Sequence, residues 1–175
     1  PPPWQPRVEQ RRHPFGEQGV RSSLEEVAKR AAQQIAHLTG DAEKLTRVKT
    51  WAGKKIHEAK RRGQNVSSDR ARAEVVLRAI QTEKVWVPDP VGVEHMVGAH
   101  LMACDTDADK PEGVCIQAED CDGLVILCGA CFLAIGLHTA IVGHAYDQGK
   151  HIQHVICSVK IDGEWLYADP SYDYQ

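Results

Sequence analysis

EDCDGLVILCGACFLAIGL, Glu119 to Leu137, decides the fold. Its apolar part, Leu124 to Leu137, is shorter than the roughly 20 residues that a membrane-spanning helix needs and is broken by Gly129 and Gly136. It reads as a buried core helix over about Cys121 to Ile135. Asp120 caps it and Gly136 closes it.

Working outward, the sequence on the C-terminal side changes period. HTAIVGHAY, QHVICSVKI and EWLYADP alternate or run apolar, with turn signals at Asp147 to Gly149 and at Asp162-Gly163. They read as three antiparallel strands. On the N-terminal side three helices are expected. The first starts at Ser22 or Ser23, with Glu26 at capping-box spacing, and places Leu24, Val27, Ala31, Ile35 and Leu38 on one face before Gly40. The second spans about Asp41 to Arg62, with Leu45, Val48, Trp51, Ala52, Ile56 and Ala59 inward. The third runs from about Asp69 to Thr82, with Val75, Val76, Leu77 and Ile80 inward. KVWVPDPVGVEHM is a short strand and turn, followed by a helical patch over about Val93 to Met102. CDTDADKPEGVCIQAED is an acidic loop. The class is α+β, with N-terminal helices and an apolar helix packed on an antiparallel sheet.

The first 20 residues are rich in proline, arginine and glutamine and lack periodicity. They are expected to form an extended or disordered arm, and residues 21–175 a single domain. Trp4 and Phe15 would anchor the arm if it orders on a protein partner.

Apolar residues make up 42% of the chain and the formal net charge is −3. That is enough for a core, and it points to neither nucleic acid nor an anionic membrane. The N-terminus shows no signal-peptide pattern. The six cysteines are even in number, but three lie in or beside one apolar helix, so free thiols in a reducing, cytoplasmic setting are expected. No cofactor is expected.

Chemistry centres on Cys121. At the first turn of a helix, unpaired backbone N–H groups and the positive end of the dipole favour a thiolate. They can also hold a developing oxyanion. The flanking Asp120 and Asp122 work against the thiolate. Cys128 and Cys131 lie deep in the apolar segment and read as core. A thiolate nucleophile needs a base, and the base an orienting group. Of nine histidines, His154 opens the stretch HVICSVKI, where a strand would hold it rigidly. Pairing residues symmetrically about Asp162-Gly163 puts His154 opposite Ser171 and within about two residues of Asp169. A carboxylate there fixes the tautomer and stabilises the imidazolium.

These segments together, EDCDGLVILCGACFLAIGLHTAIVG, HVICSV and DGEWLYADPS, resemble the transglutaminase-like superfamily. VWVPDPVGVEHM is similar to the upstream stretch of its bacterial and phage members. The resemblance covers about Val85 to Ser171. It implies a papain-like fold and a triad of Cys121 as nucleophile, His154 as base and acid, and Asp169 as orienting group. It also implies action on amide bonds through a thioester: hydrolysis, deamidation or amine transfer on a protein or peptide substrate. The chain departs from the pattern in two places. Ile156 stands where an aromatic commonly follows the histidine by two, and Glu119 where a glycine often precedes the cysteine by two. For the oxyanion or substrate cleft, Gln117, Trp86 and Asp122 are the candidates.

Three rival readings stand beside this one. Cys128-x2-Cys131 has zinc-ligand spacing, with His144, His151 and His154 downstream, but the pair lies inside an apolar helix without a turn to present it. Asp105, Asp107 and Asp109 imitate the start of an EF-hand loop, but Lys110 and Ile116 stand where glycine and glutamate are required. No metal site is therefore expected. The third rival is an inert structural or docking domain of a phage or bacterial assembly, possible in a virion.

Overall fold

The computed structural model describes residues 7–9, 24–89, 96–105, 115–144 and 154–171. A strand β1 at Arg7–Glu9 precedes three helices, α1 at Leu24–Thr39, α2 at Ala42–Arg61 and α3 at Asp69–Glu83. Asp41 caps α2 by accepting the Lys44 N–H at 3.1 Å, and Ser68 caps α3 by accepting that of Ala71 at 3.1 Å. The proposed cap of α1 lies outside the described residues. The buried faces follow the expected period: Ala31, Ile35 and Leu38 on α1, Val48, Trp51 and Ala52 on α2, and Val76 and Ile80 on α3. Val75 and Leu77 are only half-buried, because the buried stripe of α3 runs through Ala73, Val76 and Ile80 and leaves them on its flanks.

Next come β2 at Val85–Trp86, α4 at Ala99–Met102 and β3 at Ala118–Glu119. The helix expected from Val93 is shorter, since residues 96–98 are not helical and Gly98 is its N-cap. Residues 93–95 lie outside the described residues. Strands β2 and β3 pair in parallel, Val85 with Ala118 and Trp86 with Glu119. The apolar stretch is helix α5 at Cys121–Ala134, capped by Asp120, with Ile135 as its C-cap. Gly136 follows with a positive φ of 88°.

Strands β4 at His138–His144, β5 at His154–Ile161 and β6 at Glu164–Ala168 form the expected antiparallel meander. Part of the expected arm joins it, for β1 lies parallel to β4, with Val8 beside Ile141. The sheet order is β1-β4-β5-β6. The rest of residues 1–20 lies outside the described residues, as does the turn at Asp147 to Gly149. Helix α5 packs on β4 and β5 and is covered by α1, α2, α3 and α4. Gly129 sits where α1 crosses it: a Cβ there would stand 2.6 Å from Ile35 Cδ1, so the missing side chain sets the approach of the two helices.

Two cysteines depart from expectation. Cys104 and Cys115 form a disulfide, with Cα atoms 5.9 Å apart. The end of α4 and the entry to β3 are brought together by the Ile116 N–H donating to the Leu101 carbonyl at 2.9 Å. Spacing alone gave no sign of this pairing, because it arises from where α4 and β3 dock. Cys121, Cys128, Cys131 and Cys157 are free thiols.

Among the described residues no helix is long and apolar enough to cross a membrane. Fully burying a leucine-sized side chain contributes about 1.5–3 kcal/mol. Leu127→Ala should therefore cost about 2–5 kcal/mol in a urea melt, and Cys128→Ala a smaller loss of about 1–3 kcal/mol, since less volume is removed.

Candidate active site

The hairpin between β5 and β6 builds the site. Asp162 and Gly163 have φ of 53° and 89°, the two positive values that a tight two-residue hairpin turn requires. The turn locks Ile161 opposite Glu164, and the ladder runs in that register to Cys157 opposite Ala168. Chain continuity then brings Asp169, just past β6, to His154 at the start of β5. The contact is direct: His154 Nε2 lies 2.8 Å from Asp169 Oδ2. An ionised carboxylate only accepts, so Nε2 carries the proton. Cys121 is the second side-chain hydrogen-bond partner of the imidazole.

The three residues chosen from sequence thus meet at one imidazole. Cys121 is half-buried at the first position of α5, and His154 is 9% exposed. Asp169, then Cys121, favour the imidazolium. Burial opposes them, and the His154 pKa is raised to about 9.

Asp169 is itself held on two further sides. Its Oδ1 accepts the Ser171 N–H at 2.9 Å, and its backbone carbonyl accepts from Gln81 Nε2 of α3 at 2.8 Å. Sequence reasoning missed Gln81, and no local signal marks it, since an exposed-looking glutamine on a helix acquires this role only when α3 docks beside β6.

The cleft candidates fare differently. Gln117 is spent elsewhere. Its Oε1 accepts from Lys84 Nζ at 2.9 Å, and its Nε2 donates to the Cys104 carbonyl at 3.3 Å and contacts Cys115 Sγ. With both ends of its amide engaged at the disulfide, it is not available to an oxyanion. Trp86 is 50% exposed on β2, across from Glu119. Asp122 is 1% exposed, too deep to line an open cleft, and neither of its carboxylate oxygens has a partner among the described residues. The backbone N–H of Cys121, at the first helical position, has no intrahelical acceptor.

His138 is exposed, the His144 side chain and His151 lie outside what is described, and Cys128 and Cys131 are fully buried. Burial pushes both thiols well up, as it does for any anion in an apolar interior. Asp105, which began the EF-hand imitation, is a structural anchor, paired with Lys54 and Lys55 and accepting from the Trp51 Nε1–H at 3.1 Å. Asp107 and Asp109 lie outside the described residues. Glu119, Asp120 and Asp122 do cluster, with ligand atoms all within 4.8 Å of one another.

Comparison with known protein families, curated proteins and solved structures finds no match for this chain.

A raised histidine pKa stabilises the fold below the unfolded-state value, and the gain is lost as pH climbs through the folded value. The His154 contribution should thus be complete below about 6.5 and gone above about 9. Wild-type stability in urea should fall across that window from this group, and Asp169→Asn should flatten the slope and narrow the gap to wild type at high pH.

Proposed function

We propose that the chain is a cysteine-dependent hydrolase or acyltransferase acting on amide or peptide bonds through a thioester. The observation that carries this is the meeting of Cys121, His154 and Asp169, in which Nε2 of the imidazole lies 2.8 Å from Asp169 and Cys121 hydrogen-bonds the same ring. The motif resemblance to the transglutaminase-like superfamily supports the same roles, and so does the packing of an apolar helix on an antiparallel sheet.

In this reading the Cys121 thiolate attacks the carbonyl carbon, and the carbonyl electron pair moves to oxygen. The Cys121 N–H at the helix start stabilises that oxyanion. As the C–N bond breaks, the imidazolium gives its Nδ1 proton to the leaving amine. The resulting thioester is attacked by water or an amine, whose proton His154 takes, and the thiolate leaves. Asp169 holds the ring throughout and offsets its charge. Hydrolysis is favoured over crosslinking, because nothing in the sequence identifies an acceptor-amine site. The Cys104–Cys115 disulfide favours an oxidising compartment over the cytoplasm expected from the sequence.

Alkylation by iodoacetamide at pH 7, mapped by peptide mass spectrometry, tests the array. Cys121 should label ahead of Cys128, Cys131 and Cys157, and His154→Ala should remove that lead while the protein stays folded. A Cys121 that labels no faster than the buried thiols, or whose rate ignores His154→Ala, contradicts the reading.

A further inference from the structure

The acidic residues around the thiol are not explained by the triad. Glu119, Asp120 and Asp122 present one carboxylate oxygen each, all within 4.8 Å of one another. Asp120 has a structural task, since its Oδ1 accepts the Asp122 N–H at 3.1 Å and caps α5. Asp122 has none: it is 1% exposed, and both Oδ1 and Oδ2 lack a partner among the described residues. A buried carboxylate without donors is strongly disfavoured as an anion unless a cation compensates it.

The backbone is shaped to bring these groups together. Glu119 is 6% exposed, and its main chain is fixed by β3, where its carbonyl accepts the Val87 N–H at 3.0 Å. Its side chain folds over the first turn of α5 against Gly123. A Cβ at Gly123 would stand 2.8 Å from Glu119 Cβ, Cγ and Oε2, so only the bare glycine admits the carboxylate there.

We propose that Glu119, Asp120 and Asp122 bind a single hard divalent cation, calcium by size, beside Cys121. All three donors are carboxylate oxygens, the ligand type of calcium and magnesium rather than of zinc or copper. Calcium holds oxygens at about 2.3–2.6 Å, so ligands on opposite sides of it stand up to about 5 Å apart, which accommodates the observed spread. Magnesium at about 2.0–2.1 Å demands a tighter octahedron. The proposal replaces the expectation of no metal and does not depend on the thiol being catalytic.

The test is calorimetric titration of calcium chloride into the full chain after removal of metal with EDTA, with melting curves alongside. The expected result is one calcium per chain, a melting temperature that rises with calcium, and a weaker response to magnesium chloride. Asp122→Asn should weaken calcium at least about tenfold, because affinity follows the number of charged ligands. Without calcium it should melt no lower than wild type, since an unpaired buried charge has gone. Glu119→Gln should weaken calcium as well, and serves if Asp122→Asn does not fold. Absence of both heat and melting shift in the wild type at millimolar calcium overturns the proposal, as does undiminished binding in these variants. Either failure leaves the alkylation result at Cys121 untouched, so the two readings fail separately.

Discussion

Helix α5 has no face for water. Leu124 to Leu127, Cys128, Ala130, Cys131 and Phe132 are each at most 1% exposed, so the helix needs partners on every side. Strands β4 and β5 take one side, and the four other helices take the rest. Cys121, half-buried, stands at its first turn. Burial that forces the helix to the centre thus also fixes the thiol at the rim, over the start of β5 where His154 waits. The second constraint is the hairpin at Asp162-Gly163. A slip of one residue would turn every side chain of β6 to the other face and carry Asp169 away from the imidazole.

Both constraints were legible in the sequence, because each is written locally. A long apolar run with a capping aspartate declares a core helix, and an Asp-Gly between alternating stretches declares a two-residue turn whose register can be extrapolated. Hence His154 and Asp169 could be paired before any coordinates, and the observed ladder keeps that register as far as Cys157 and Ala168. What was not legible depends on docking between distant segments. The Cys104–Cys115 bond, the engagement of Gln117 beside it, the hold of Gln81 on the Asp169 carbonyl and the parallel addition of β1 all join elements whose meeting no periodicity encodes. Asp122 was misplaced because a polar residue in the first turn of a helix is ordinarily near solvent, and here it is 1% exposed.

The electrostatics of the site join these layers. His154 is drawn toward its charged form by a carboxylate on one side and a thiol on the other, against the cost of burial.

The central claim is that Asp169 and Cys121 together hold His154 as an imidazolium. Nitrogen-detected NMR of ring-labelled histidine, titrated against pH, reads it directly. The account predicts that His154 titrates near 9 and that Asp169→Asn returns it toward the ordinary 6.5. A His154 that titrates at 6.5 in the wild type, or that ignores Asp169→Asn, would contradict it.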